Sequence, residues 1–165
     1  MTSVLFACVH NAGRSQMAAT LFNQLADPSK ARAISAGTDP GPRVHPEVVD
    51  AMRELGTDLS TARTTKLTPD LAQQVQVLIT MGCGDECPYV LGVKHDDWPV
   101  EDPKGKPLAQ VRAIRDDIRG RVEALIEREG WGREMSALTL RVAVRRSASS
   151  LDRRRDSVVA SARTG

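Results

Sequence analysis

The stretch TSVLFACVHNAGRSQ, residues 2–16, decides the fold of this chain. Its first seven residues are mostly apolar and include β-branched side chains, so they predict a short buried strand over residues 2–8. Small and polar residues follow, and apolar side chains then recur at helical spacing from position 17 onward. We therefore predict a strand, a tight loop and a helix over residues 15–26, with Ser15 as the helix N-cap.

Predicted strands and helices alternate along the chain after this unit. Apolar runs predict three further strands, over residues 31–37, 75–81 and within 89–98. Helical spacing and N-terminal proline signals predict further helices, over residues 46–56, 68–74 and 107–129. Such alternation indicates a parallel sheet with helices on both faces and right-handed crossovers. The predicted fold class is α/β, a three-layer doubly wound fold around a central four-stranded parallel sheet.

Length and charge divide the chain into one domain and a tail. With 165 residues, of which 41% are hydrophobic and 27% charged, the chain suits one globular domain. Residues 1–131 carry 15 Lys and Arg against 18 Asp and Glu, a net charge of −3. Residues 132–165 carry 8 Arg against 3 acids, a net charge of +5, and show no sustained periodicity. We predict a domain over residues 1–131 and a basic, disordered C-terminal tail over residues 132–165.

Composition also bears on localisation and partners. Aromatic residues make up only 3% of the chain and the domain has no basic face, which argues against nucleic-acid binding. No stretch approaches the roughly 18 apolar residues that a membrane span needs, and the N-terminus lacks the features of a secretory signal. Three cysteines, Cys8, Cys83 and Cys87, do not suggest a disulfide framework. We expect a cytoplasmic protein without nucleic-acid or membrane partners, with a monomer as the default.

The loop after the first strand has the features of an anion site. In doubly wound sheets, ligands bind beyond the carboxyl ends of the strands, where loop amides and a helix N-terminus attract anions. Arg14 adds a planar guanidinium suited to bidentate contact with a tetrahedral oxyanion. Cys8 lies in the same positive field, which favours a thiolate aimed at the central atom of the anion, and Ser15 can donate a hydrogen bond to it. The alternative is a buried structural cysteine beside a surface arginine.

The motif CVHNAGRSQMA, residues 8–18, resembles the phosphate-binding loop of the low-molecular-weight protein tyrosine phosphatase fold. Within that fold, the chain resembles the arsenate reductases. Four further stretches agree in family order: ISAGT (34–38), VQVLITMGCGDECP (75–88), DDWPVEDPKGKP (96–107) and VRAIRDDIRGRVEALI (111–126). The resemblance therefore covers the predicted domain and leaves the tail outside.

The resemblance implies roles for individual residues. Cys8 is expected to be the nucleophile that attacks arsenate, and Asp102 the general acid that protonates the leaving oxygen. Asn11 is expected to brace the loop and Ser15 to support the thiolate. The oxyanion is expected to be held by Arg14 and by the loop amides, which belong to Val9, His10, Asn11, Ala12 and Gly13. Without the resemblance, Asp102 would be interpreted as a turn residue before Pro103.

The second chemical step distinguishes the activities of this fold. A phosphatase resolves the Cys8 adduct with water, whereas an arsenate reductase uses a thiol. The stretch ITMGCGD (79–85) resembles the actinobacterial branch, which implies mycothiol as co-substrate and a mycoredoxin that completes reduction to arsenite. The thioredoxin-coupled alternative passes the oxidation through two further cysteines, for which Cys83 and Cys87 are the candidates for a redox relay. In that branch the second cysteine directly follows the strand, where this chain has Gly82.

Other kinds of site and function are weighed against these. Zinc at Cys83 and Cys87 is disfavoured because C-x3-C lacks a second ligand pair at a usual spacing, so we expect no metal and no tightly bound cofactor. A low-molecular-weight protein tyrosine phosphatase or small-phosphoester phosphatase would share the loop. Phosphatases of the fold, however, usually carry aromatic residues after the acid, where this chain has Lys104-Gly105-Lys106. A third alternative is a non-enzymatic anion-sensing module whose tail binds a partner.

Overall fold

Four parallel strands form a single sheet at the centre of the fold. The computed structural model describes residues 1–134 of the chain. The strands are β1 (Thr2–Cys8), β2 (Ala31–Gly37), β3 (Val77–Thr80) and β4 (Lys94–Asp97). Their spatial order is β2-β1-β3-β4, and every neighbouring pair is parallel. The predicted α/β class and the central four-stranded parallel sheet are confirmed.

Helices cover both faces of this sheet. They are α1 (Arg14–Leu25), α2 (Pro46–Arg53), α3 (Pro69–Gln73) and α4 (Leu108–Glu129). Because side chains of a strand alternate between its two faces, β1 contributes to two cores. The larger core contains residues of α1, α2 and α4 together with Val4, Phe6 and Cys8 of β1. The smaller core contains Leu5 and Ala7 of β1 and Ala72 of α3. This is the three-layer arrangement expected from the sequence.

The start of the first helix differs from the prediction. Helix α1 begins at Arg14, and Gly13 rather than Ser15 occupies the N-cap. Ser15 is fully buried, and its hydroxyl oxygen lies 2.9 Å from Sγ of Cys8. The prediction of Ser15 as N-cap is wrong because this hydroxyl makes a tertiary contact with the end of β1 instead of capping the first turn.

Other boundaries are close to the predicted ones. Thr68, the first residue of the helix predicted over 68–74, caps α3, since its hydroxyl accepts a hydrogen bond from the amide of Leu71 at 3.2 Å. Helix α4 ends at Glu129 as predicted, and Gly130 caps it in a left-handed conformation with φ 69°. Helix α2 ends at Arg53, three residues earlier than predicted. Strand β3 starts at Val77 rather than at residue 75.

The chain divides into two units. Residues Met1–Gly132 form one compact unit, and a second unit begins at Arg133. The predicted basic tail, residues 132–165, lies outside the described residues from position 135 onward. Among the helices of residues 1–134, none is long and apolar enough to cross a membrane.

Candidate active site

The loop between β1 and α1 is held from one side by four backbone hydrogen bonds. Carbonyl groups of the loop accept these bonds from the segment of residues 38–45 at 2.9–3.1 Å, and they belong to Cys8, Val9, His10 and Ala12. In a planar trans peptide the C=O and N–H groups point in opposite directions. The amides that follow these carbonyls therefore face away from that segment, and they belong to Val9, His10, Asn11 and Gly13. These amides and the α1 dipole can attract an anion.

Cys8 lies at the carboxyl end of β1 and is only 2% exposed. Its Sγ lies 2.9 Å from Oγ of Ser15, and that hydroxyl accepts a hydrogen bond from Nδ2 of Asn11 at 2.8 Å. Because Asn11 donates to the Ser15 oxygen, the hydroxyl proton of Ser15 is available for Cys8. A thiolate can only accept, so this arrangement supplies the donor that a charged Cys8 requires.

Asn11 shapes the loop from its centre. Its φ is 49°, in the left-handed region that Asn tolerates better than most non-glycine residues. The side chain is fully buried, and its Oδ1 accepts hydrogen bonds from the amide of Thr65 at 2.9 Å and from Nε2 of Gln16 at 3.3 Å. One residue thus turns the loop and ties it to a distant segment, which gives the predicted bracing role a physical basis.

Arg14 opens helix α1 and is 8% exposed. Its Nη1 donates to the carbonyl oxygen of Val100 at 3.3 Å, and its Nη2 lies 3.6 Å from Oδ2 of Asp102. The guanidinium therefore joins the loop to the segment between β4 and α4. A largely buried guanidinium beside several loop amides suits bidentate contact with an oxyanion.

Asp102 lies in that segment, next to the loop. Its side chain is 43% exposed, and its Oδ1 accepts a hydrogen bond from the amide of Lys104 at 3.1 Å. A Cβ atom placed on Gly13 would lie 2.8 Å from Cγ of Pro103, so the segment closes directly against the loop. The structure brings Asp102 to Arg14 and the loop, and the contact with Lys104 shows that it is a turn residue as well.

Two histidines, His10 within the loop and His45 beside it, contact neighbouring segments. Nδ1 of His10 is 3.0 Å from the carbonyl oxygen of Asp39. Burial lowers the pKa of His45, although the nearby carboxylates of Glu47 and Asp102 act in the opposite direction. A cavity of about 420 Å³ is lined by both histidines and by Lys104. This cavity adjoins the loop but holds none of the groups assigned to the nucleophilic step.

The two remaining cysteines form a pair of their own. Cys83 and Cys87 are joined in a disulfide, with their Cα atoms 5.7 Å apart across the short turn Gly84–Glu86. Cys83 is buried in the smaller core, where its Sγ lies 3.9 Å from the carbonyl oxygen of Ala7. Cys8 faces the larger core and is the free cysteine of the described residues. The structure therefore pairs Cys83 with Cys87 and not with Cys8.

Several contributions to the site were not identified from the sequence. Thr65 and Val100 act through backbone groups, and the segment of residues 38–45 does the same. Every residue offers such groups, so no side-chain pattern marks them in advance. Gln16 also contacts Asn11, and its place in the first turn of the helix that follows the loop was a usable signal. No set of three or more His, Cys, Asp or Glu side chains within residues 1–134 is arranged to hold a metal ion.

The combined geometry suits nucleophilic attack on a tetrahedral oxyanion. Backbone amides and Arg14 can hold three oxygens while the Cys8 thiolate faces the central atom. Asp102 is placed near the same guanidinium, where a carboxyl proton can reach a departing oxygen.

Comparison with known proteins places these features in a family context. The model of the low molecular weight phosphotyrosine protein phosphatase family matches residues 3–135. A glutaredoxin arsenate reductase of Synechocystis is 35% identical over 129 residues, covering 76% of this chain and 97% of that protein. An arsenate reductase of Staphylococcus aureus is 32% identical over 126 residues, covering 73% and 93%. The solved structure of a thioredoxin-dependent arsenate reductase from Corynebacterium glutamicum has a TM-score of 0.66 and 38% identity, covering 77% of this chain and 61% of that chain.

Proposed function

The chain belongs to the low molecular weight phosphotyrosine protein phosphatase family, and within it we propose that the chain is an arsenate reductase with Cys8 as nucleophile. The observation that carries this proposal is a free Cys8 in an oxyanion loop together with a separate cysteine pair, Cys83 and Cys87, close enough to form a disulfide. Such a pair can release two electrons, which a hydrolase does not need. The arsenate reductases among its relatives support the same conclusion.

The first step forms a bond between sulfur and arsenic. The Cys8 thiolate attacks the arsenic of bound arsenate, and a hydroxyl of arsenate takes a proton from Asp102 and leaves as water. Arg14 and the loop amides hold the remaining oxygens while charge shifts between them. Ser15 donates to the sulfur before attack, because its own oxygen is already engaged by Asn11. Arsenic remains in the +5 state at this stage.

The second step reduces arsenic through the cysteine pair. The Cys83 thiolate attacks Sγ of Cys8, so that a disulfide forms and the electron pair of the As–S bond stays on arsenic, which leaves as arsenite. The Cys87 thiolate then attacks Sγ of Cys83 and releases Cys8. Because Cys83 lies in the smaller core, the segment after β3 has to rearrange before this attack. A dithiol of the thioredoxin class would reduce the resulting disulfide, and the thioredoxin-dependent C. glutamicum relative supports this donor.

A second route is favoured by one specific observation. Gly82, rather than a cysteine, occupies the position after β3 that lies against Arg14, and Cys83 is buried on the opposite face of the sheet from Cys8. An external thiol needs no such rearrangement. In this route mycothiol attacks the arsenic of the Cys8 adduct and leaves as an arseno-mycothiol conjugate. A mycoredoxin thiol then attacks the mycothiol sulfur, arsenite departs with the electron pair, and a mixed disulfide remains.

Arsenite production with defined donors tests the proposal. Wild type, Cys8→Ser and the double variant Cys83→Ser/Cys87→Ser are supplied with arsenate and either a thioredoxin system or mycothiol with mycoredoxin. The relay predicts that the thioredoxin system supports arsenite production by wild type and by neither variant. Transfer predicts that the double variant stays active with mycothiol. Cys8→Ser is expected to be inactive in both systems.

A single-turnover experiment separates the routes further. Reduced Cys87→Ser treated with arsenate is expected to accumulate a disulfide between Cys8 and Cys83, with one arsenite released per chain, as measured by mass spectrometry and arsenic speciation. If wild type forms no arsenite with any donor but hydrolyses p-nitrophenyl phosphate, the chain is a phosphatase and the reductase proposal is wrong.

A further inference from the structure

The guanidinium of Arg14 occupies the space where residue 82 would carry a side chain. A Cβ atom built on Gly82 would lie 2.3 Å from Nη1 of Arg14 and 3.3 Å from its Cζ. Contacts under 3.0 Å are not sustained by real Cβ atoms, so either the guanidinium or the backbone would have to move. The end of a long side chain moves more readily than a backbone that has just left a buried strand. The guanidinium is therefore the group that a side chain at position 82 displaces.

The backbone on both sides of Gly82 is held in place. Met81 donates its amide proton to the carbonyl oxygen of Ala7 at 2.7 Å, which ties the end of β3 to β1. Cys83, on the other side, is buried in the smaller core. Gly82 itself has φ 85°, a left-handed conformation that L side chains rarely adopt. The chain thus presents a bare Cα to Arg14 from a position that has little freedom to retreat.

Three groups then surround the guanidinium. The carbonyl of Val100 accepts from Nη1, the carboxylate of Asp102 lies near Nη2, and Gly82 lies against Nη1. The first two attract the guanidinium, whereas Gly82 acts only by leaving room. Its contribution therefore does not show in the hydrogen bonds and ion pairs around Arg14.

We propose that Gly82 is a positioning residue for Arg14 and thereby sets the affinity of the loop for oxyanions. The inference rests on the oxyanion site of the proposed function but requires no arsenic chemistry. In this chain a cysteine at position 82 would carry the same Cβ toward Nη1 of Arg14.

Binding of inorganic phosphate to the full chain, with Cys83 and Cys87 joined in a disulfide as in the structure, tests the proposal without any turnover. Gly82→Ala is compared with Gly92→Ala, because Gly92 has nearly the same φ, 81°, but a Cβ there would meet nothing within 4 Å. Both variants place a side chain at a similar left-handed φ, so this strain is expected to lower the melting temperature of both. Calorimetric titration is expected to show phosphate affinity weakened about tenfold or more for Gly82→Ala and changed less than about twofold for Gly92→Ala, since a misplaced guanidinium loses charge-assisted hydrogen bonds.

The Arg14→Lys background shows whether the effect passes through Arg14. Lysine has no Nη1, so Gly82→Ala is expected to change phosphate affinity by less than about twofold there. Equal phosphate affinities for Gly82→Ala and wild type would overturn the proposal, and so would equal losses in both glycine variants. Failure of Gly82→Ala to fold while Gly92→Ala folds would also overturn it, because the guanidinium would not have absorbed the collision. Absence of arsenate reduction by wild type would refute the proposed function and leave this inference standing.

Discussion

The hydroxyl oxygen of Ser15 lies 2.9 Å from Sγ of Cys8, and its other contact determines how it acts. Asn11 donates to that oxygen at 2.8 Å, so the Ser15 proton is directed to the sulfur. Cys8, Asn11 and Ser15 are all buried, so water cannot readily take the place of the Ser15 hydroxyl as donor to the sulfur. The contact between Ser15 and Cys8 therefore connects the fold of the loop with the chemistry of its nucleophile.

Ser15→Ala removes the only hydroxyl contact described for the Cys8 sulfur. A hydrogen bond to a charged group contributes about 1.5–3 kcal/mol, so we expect kcat/KM for arsenate to fall by about 10- to 100-fold. Initial rates of arsenite formation measure the effect, with Ser29→Ala as the control because the Ser29 hydroxyl donates to Asp27 at the surface. Unchanged kinetics in Ser15→Ala would contradict the proposed role of the hydroxyl.

Asn11 combines a left-handed backbone with two accepted hydrogen bonds, and two substitutions separate these contributions. Asn11→Ala loses both hydrogen bonds, leaves the Thr65 amide unpaired and keeps a side chain at the left-handed φ. We therefore expect the free energy of unfolding to fall by about 2–4 kcal/mol. Asn11→Gly relieves the backbone strain and should lose less. Urea unfolding at neutral pH measures both variants, and equal losses would show that φ 49° carries no strain.

Asp102→Asn keeps the shape and the contact with the Lys104 amide but removes the transferable proton. General acids of this kind contribute about 10²- to 10⁴-fold, so we expect kcat to fall within that range while phosphate affinity falls little or not at all. Pre-steady-state formation of the Cys8 adduct is the measurement. Glu101→Gln is the control, since Glu101 is the adjacent carboxylate and pairs with Lys106 at 2.6 Å. Similar losses in both variants would argue against Asp102 as the acid.

Glu54 makes stability dependent on pH through helix α4. Hydrogen bonds from Arg112 and then Arg115 lower the pKa of Glu54 to about 2. A depressed pKa in the folded state means that the stabilisation is complete above the unfolded pKa and is lost as pH falls through the folded one. We expect Glu54→Gln to be less stable than wild type at pH 7, with a difference that shrinks between pH 4.5 and about pH 2.

Chemical unfolding across that pH range tests the Glu54 prediction. Glu123→Gln is the control, because Glu123 forms an exposed pair with Arg119 one helical turn away and such pairs contribute little. A stability difference for Glu54→Gln that does not depend on pH would show that the ion pairs are not its cause.

Much of the fold was predictable because local pattern and tertiary structure agree. The apolar runs at residues 2–8 and 31–37 form the two longest strands within the predicted bounds. Thr68 caps the start of α3 and Gly130 caps the end of α4, as local rules require. Ser15 is the exception. Its local pattern is that of an N-cap, but its hydroxyl contacts the buried sulfur of Cys8 instead. Gly13 occupies the N-cap and provides no side-chain hydrogen bond to the first amides of the helix.

The sequence by itself determined the parallel α/β architecture, the place of the loop between β1 and α1, and the residue types that a thiolate and an oxyanion require. These follow from periodicity and from chemistry that each side chain carries wherever it lies. Only the tertiary structure decided what depends on distance between remote segments. It paired Cys83 with Cys87 across the sheet from Cys8, turned the loop carbonyls toward residues 38–45, and laid Arg14 against the bare Cα of Gly82. Neither an empty space nor a backbone amide is marked by a particular residue type, so their effect appears only when the chain is folded.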